Sequence, residues 1–194
     1  MRRKSFDTLV SAAGIVMAAV LLTASGLLFW AHSFISDNVR TQLVAQKIFF
    51  PPAGSDAIND PAVKPYLSKY AGQQLTTGTQ AKAFADHFIA VHLKEATGGK
   101  TYSELSTLSR ANPNDANLAG QVQTSFRGET LRGMLLNAYA FGTMATVAFI
   151  AAWVAVGTGA ALLVLAALGF LHARRTSPEA TVHVPGWHPE HATS

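Results

Sequence analysis

Two long stretches of this chain carry no charged side chain. No Asp, Glu, Lys or Arg stands between Asp7 and Asp37, and none between Arg132 and Arg174. Most of the leucine, valine and alanine falls inside these two gaps. Only 13% of the 194 residues are charged, where a soluble domain carries about a quarter. Part of the chain must therefore face something other than water, and the remainder suffices for one small domain.

The first gap holds the apolar run 9–34. A hydrocarbon core ~30 Å thick is crossed by about 20 apolar residues at ~1.5 Å each, so this run is long enough. A cleaved secretory signal is the competing reading, because Arg2, Arg3 and Lys4 make a positive start and Ala24-Ser25-Gly26 has a small-x-small pattern. Signal cores are only roughly 7–15 residues long. Here the run continues through Leu27, Leu28, Phe29 and Trp30, as an anchor does. The expectation is an uncleaved span over 9–34, preceded by a cytoplasmic segment 1–8.

The second gap is too long for one perpendicular span, since about forty helical residues would reach ~60 Å. Either two helices turn at Gly157-Thr158-Gly159, or one span is preceded by a helix that projects from the bilayer. Asn137, Tyr139, Gly142, Thr143 and Thr146 make the early part semi-polar, whereas 147–171 is almost purely apolar. A hairpin within hydrocarbon would leave backbone groups near Gly157 unpaired, at several kcal/mol each. The expectation is one long helix over 134–172 containing a span at about 147–171. Arg2, Arg3 and Lys4 at one end and Arg174 and Arg175 at the other both favour the inside, which requires an even number of spans. Two is the number. The segment 173–194, with three prolines after Thr176 and no periodicity, reads as a disordered cytoplasmic tail.

Small residues recur at four-residue spacing in both spans: Gly14 with Ala18, Ala148 with Ala152, Gly157 with Ala161. Such pairs permit close helix approach in lipid, which makes these six the candidate helix-packing positions.

Between the spans, 35–133 reads as a small helical extracytoplasmic domain, and the fold class is all-α. Val39, Leu43 and Val44 continue the first helix, exposed, up to Lys47, until Pro51-Pro52 break it. Ile48, Phe49 and Phe50 just before the break need burial, by default in the core. Residues 80–95 read as an amphipathic helix, with Phe84, Phe88 and Ala85, Ile89 at i, i+4 spacing and Gly98-Gly99 as its stop. Thr101-Tyr102-Ser103-Glu104 is a capping-box signature and Asn112-Pro113-Asn114-Asp115 a turn. A further helix runs from Ala116 towards the second span.

Chemistry is sparse. There is no cysteine, so no disulfide and no thiolate metal site. His87 and His92 lie about 140° apart on a helix and share no face, while His92 and Glu95 make at most half a metal site. His183, His188 and His191 in the tail form only a loose chelating set. No nucleophile elbow, zinc-protease, P-loop or dinucleotide pattern is present. The spans carry no ionisable Asp, Glu, Lys or Arg, which argues against a proton relay or ion pathway. Within 37–132 ten basic residues face eight acids, too even a balance for a nucleic-acid footprint.

The segments Lys47-Ile48-Phe49-Phe50-Pro51, Tyr70-Ala71-Gly72, Ile89-Ala90-Val91-His92-Leu93-Lys94 and Arg127-Gly128-Glu129-Thr130-Leu131-Arg132-Gly133-Met134-Leu135-Leu136 resemble an actinobacterial family of two-span membrane proteins of unestablished role. The resemblance extends to about Arg175. Its members are sometimes labelled aromatic ring-opening dioxygenases, but non-haem iron enzymes need two histidines and a carboxylate converging on the metal. The sequence supplies no such set, so no catalytic, cofactor or metal residue is expected.

These readings point to a non-enzymatic protein of the plasma membrane that serves as an accessory or scaffold subunit, meeting a membrane-protein partner or a second copy of itself. A lipid or small apolar ligand held at the outer membrane surface is the alternative, with Ile48, Phe49, Phe50, Phe84 and Phe88 as the contact residues. Accessory subunits of actinobacterial respiratory supercomplexes have a similar two-span layout, which makes such a subunit a further alternative.

Overall fold

The computed structural model describes residues 2–177 together with Ala180 and Thr181. It is all-helical, with no strand among the described residues. In order, α1 spans Arg3–Ala45, α2 Asp56–Asn59, α3 Lys64–Leu67 and a 3-10 turn Ser68–Tyr70. Then α4 spans Gly78–Phe84, a π-helical segment Ala85–Ile89, α5 Ala90–Thr97, α6 Tyr102–Ala111 and α7 Ala116–Arg175. Both α1 and α7 are long and apolar enough to cross a membrane. Gly157-Thr158-Gly159 lies inside α7 without interrupting it. The chain divides into two compact units: residues up to Phe29 with those from Phe149 onward, and Trp30–Ala148 between them.

The first unit is a pair of helices packed on small residues. Ser11, Ala18 and Ser25 are buried at seven-residue intervals along α1, and Ala152, Gly159, Ala166 and Ala173 along α7. A methyl on Gly14 would lie 3.5 Å from Cβ of Ala166, and one on Gly159 would lie 3.1 Å from Cγ of Leu22. Gly169 meets Ser11 so closely that a side chain there would collide with its hydroxyl. Contacts descend α7 as they climb α1, so the pair is antiparallel. The seven-residue period is that of left-handed supercoiling, which keeps one narrow seam in register. At the other end Phe29 packs edge-on against Phe149 and Trp153, with ring centroids 6.0 and 5.5 Å away. Large apolar side chains lie outside this seam, nine exposed on α1 and nine on α7.

The second unit packs the other way round. Its core gathers Leu43, Phe50, Ile58, Val63, Leu67, Leu75, Ala81, Phe84, Ala85 and Leu135. Contrary to the expectation of an exposed continuation, Leu43 on the last turns of α1 belongs to this core. After α1 the chain turns through Lys47 at φ 52° and pairs briefly with 73–75. Phe50 N–H donates to the Gln73 carbonyl (2.9 Å) and Leu75 N–H to that of Ile48 (2.9 Å). Extended backbone alternates its side chains. Ile48 and Phe50 therefore turn inward while Phe49 is 57% exposed. Burial of all three was too strong an expectation.

Capping explains where the helices begin. Thr101 and Glu104 close the expected box, with Glu104 Oε2 accepting from Thr101 N–H at 2.8 Å. A second box, Thr77 with Gln80, starts α4. Asp115 Oδ1 accepts from the N–H groups of Asn117 and Leu118, both at 3.0 Å, and starts α7. Gly98 in the left-handed region ends α5. Gly78 fits because a methyl there would stand 2.9 Å from the Ala138 carbonyl oxygen on α7.

The expected helix 80–95 is interrupted by the π turn. Ala81, Ala85, Leu93 and Thr97 are buried and Ile89 packs on the core, an average spacing of four. An α-helix returns every 3.6 residues, so its inward face would drift towards His92. The extra residue of a π turn keeps Leu93 inside and leaves His92 exposed.

Candidate functional site

In the second unit, α1 and α7 leave a groove of about 470 Å³ between them. Its floor is core: Leu43 and Leu135, with Val39, Ile48 and Ala138 half-buried beside them. Its walls are Phe34, Leu131, Met134 and Phe141, all roughly half exposed. Four carboxamides, Asn38, Gln42, Gln46 and Asn137, complete the lining with Ile35. None of the fourteen lining residues is charged. Asn38 and Gln42 lie one turn apart on α1, with Gln42 Nε2 3.5 Å from Asn38 Oδ1, and Gln46 follows in the turn after the helix.

The residues expected to contact a ligand gather elsewhere. Phe50 is only 2% exposed and Phe84 is buried. Their rings meet edge-on at 5.4 Å, and Phe88 lies 4.7 Å from Phe84. This is an aromatic core rather than a lining. Of the five, only Ile48 reaches the groove.

Among the expected packing positions, Gly14, Ala18 and Ala152 lie in the seam of the first unit. Ala148 is half-buried in the second unit. Gly157 and Ala161 are exposed, with nothing among the described residues within 4 Å of where a Gly157 methyl would stand. The seam partners Ser11, Ser25, Gly159, Ala166, Gly169 and Ala173 were not anticipated. For all of them but Gly169, a seven-residue recurrence, as in Ala145, Ala152, Gly159, Ala166 and Ala173, is the signal that finds them.

Several charged groups of the second unit pair with one another or cap a helix. Asp86 lies between Lys82 Nζ (2.6 Å) and Arg132 (3.3 Å), and Arg132 also reaches Glu129 at 3.5 Å. The hydrogen bond from Lys82, aided by that from Arg132, holds the Asp86 carboxyl below its usual range and raises the lysine in turn. Glu104 is lowered by the Thr101 N–H it caps. His87 stacks flat on Tyr66 at 3.5 Å and His92 Nδ1 bonds the Phe88 carbonyl, so the two histidines have separate local partners. Among the described residues no three His, Asp or Glu side chains converge on a metal position. His183, His188 and His191 lie outside the described residues.

A second hollow of about 430 Å³ is bordered by Asp37, Val39, Arg40 and Tyr139 together with Ser36 and several threonines. No family model, no curated protein and no solved structure matches this chain. The class defined by the fold is an all-helical protein with two helices capable of crossing a membrane, and its function has to be read from geometry.

Proposed function

We propose that the chain is a two-span plasma-membrane protein, with both ends cytoplasmic, whose helical extracytoplasmic unit holds a lipid or small apolar ligand at the membrane surface without catalysing a reaction. The membrane part is supported by the inverted packing of the first unit. Eighteen large apolar side chains are exposed there. At even ~1 kcal/mol for each half-exposed chain, keeping that face in water rather than in lipid costs about 18 kcal/mol. Lipid removes the cost. The positive residues after and before the apolar runs supply the orientation.

One observation carries the binding function: the uncharged groove between α1 and α7. Its volume lies within the range of small-ligand sites, ~300–1,000 Å³. Phe34, the last residue of the first apolar run, is one of its walls, so the groove starts where the first span is read to end. Native mass spectrometry of the chain released from mild detergent tests it. Retained lipid is expected on the wild type and lost on Met134→Arg, whose 60% exposed side chain tolerates the change without unfolding. A wild type that flies bare, like the variant, overturns the reading.

A second reading is supported by Gly157 and Ala161. Glycine inside a helix costs ~1 kcal/mol relative to alanine, and a methyl on this one would meet nothing within 4 Å among the described residues. Small residues facing outward suit a partner helix, as an accessory or scaffold subunit would need. Co-purification in mild detergent with a stoichiometric partner, lost on Gly157→Leu, is the expected result. A solitary monomer sinks it.

A further inference from the structure

Resting on the two-span reading of the chain, we infer that the start of α1 and the end of α7 form one cationic patch that binds the phosphate headgroups of anionic lipid in the inner leaflet. The fold makes this patch, because its residues come from opposite ends of the sequence.

Arg2, Arg3 and Lys4 stand at the start of α1, and Arg174 and Arg175 close α7. The antiparallel seam brings these two ends to one level. Ser11 faces Gly169, and Asp7 Oδ2 lies 3.9 Å from Nε2 of His172. Beyond α7 the backbone returns to the start of α1, where Arg3 N–H donates to the Ala180 carbonyl (2.9 Å) and Arg2 pairs with Thr181. Packed helices lie ~8–10 Å apart, comparable with the Debye length of ~8 Å at physiological salt. The five cations therefore act as one positive field and not as two separate flanks. Orientation in the membrane requires only that such charges stay inside; headgroup binding requires them together.

Five like charges held so close repel one another, and the described chain does not relieve them. All five side chains are exposed, and none takes part in an ion pair among the described residues. Asp7 is the one acid among the described residues at this end; Glu179 lies outside them. The fold turns Asp7 away from the arginines. Its side chain is only 19% exposed and faces His172 across the seam, with Oδ2 buried and without a hydrogen bond. The second unit behaves differently, since Lys82 and Arg132 share Asp86 there. At the cytoplasmic end the counter-charge is left to an anion from outside.

Depth selects which anion. Phe6 and Leu9 follow the first cations, Leu168 and Leu171 precede Arg174, and all four are exposed. These are side chains read as facing hydrocarbon, so the cationic heads begin within one helical turn of it, where lipid phosphates lie. A soluble phosphate gains nothing from exposed leucine, whereas a lipid brings phosphate and hydrocarbon together. Arginine suits the task because its planar fork donates two hydrogen bonds to a phosphate.

The test uses the full chain in detergent micelles with equal amounts of phosphatidylglycerol and phosphatidylcholine of identical acyl chains, and native mass spectrometry reads which is retained. The wild type should hold phosphatidylglycerol at least about ten-fold better. Arg2→Gln with Arg3→Gln, and separately Arg174→Gln with Arg175→Gln, should each lower that preference by about ten-fold. Arg2→Lys, Arg3→Lys, Arg174→Lys and Arg175→Lys together should keep it, because charge is what the phosphate meets. Lys94→Gln with Lys100→Gln removes as much charge from exposed positions of the second unit and should leave it unchanged. Equal retention of the two lipids by the wild type, or an equal loss in the second-unit variant, overturns the inference. Loss on neutralising only one of the two arginine pairs overturns the single patch. Displacement of the lipid by soluble glycerol phosphate at equal concentration overturns the lipid as its source. Labelling of a cysteine at Thr193 by an impermeant reagent in sealed cells instead overturns the two-span reading, and the inner leaflet with it, whatever the lipid result.

Discussion

The two units of this chain obey opposite packing rules. In the first, alanine, glycine and serine lie inside and leucine, valine, phenylalanine and tryptophan outside. In the second, Phe50, Leu67, Leu75 and Leu105 are fully inside, while Lys82, Glu104 and Arg110 lie at the surface. Such an inversion is what a change of solvent produces. Water drives large apolar groups together, whereas in lipid close backbone approach is what helices gain from each other. Substitutions of one kind should therefore have opposite effects in the two units.

The largest effect is expected in the second unit. Leu67 is fully buried, so Leu67→Ala should lower stability by ~2–5 kcal/mol through lost burial and a cavity, read by thermal unfolding in detergent. The reverse change should hurt the first unit. Gly159→Leu must drive a side chain into Leu22 and the Ala18 carbonyl, at ~1–3 kcal/mol. Gly157→Leu, with open space before it, should be close to neutral in the isolated chain. Equal effects at 157 and 159 would break the seam as described.

Smaller effects sharpen the same contrast. Thr101→Ala removes one capping box in the second unit and should cost ~1 kcal/mol, visible as lowered stability without loss of the first unit's helices. Asp86 gives the smallest. Its carboxyl is lowered in the folded state, so its stabilisation is present above the unfolded value of ~3.9 and fades as pH falls below it. The gap in stability between wild type and Asp86→Asn should be below ~1 kcal/mol at neutral pH, for a pair this near the surface, and should close below about pH 4. A gap unchanged at low pH would mean that Asp86 acts through packing rather than charge.

How much of this was legible follows from the range of each signal. The Thr101–Glu104 box, the Gly98 stop and the two apolar runs are local, and short windows reveal them. The seam is not local: its period of seven is hidden because alanine fills the positions between Ala152 and Ala173 as well. Four-residue pairs picked out Gly14, Ala18 and Ala152 but also the outward Gly157 and Ala161. The π turn has no composition of its own; only the spacing of Ala81, Ala85, Ile89, Leu93 and Thr97 betrays it. The phenylalanines looked like a lining because core and pocket draw on the same residue types. The groove needed two segments far apart in sequence, although Ile35, Val39 and Leu43 beside Asn38, Gln42 and Gln46 already form an apolar strip edged with amides.

The membrane topology proposed for the two units can be tested in intact cells. The native chain has no cysteine, so single cysteines at Ser55, Ser106 and Thr193 can be probed with a membrane-impermeant thiol reagent. Two spans with both ends inside predict labelling at Ser55 and Ser106 and none at Thr193 until the membrane is opened. Labelling at Thr193 in sealed cells, or none at Ser55 and Ser106, would contradict the account.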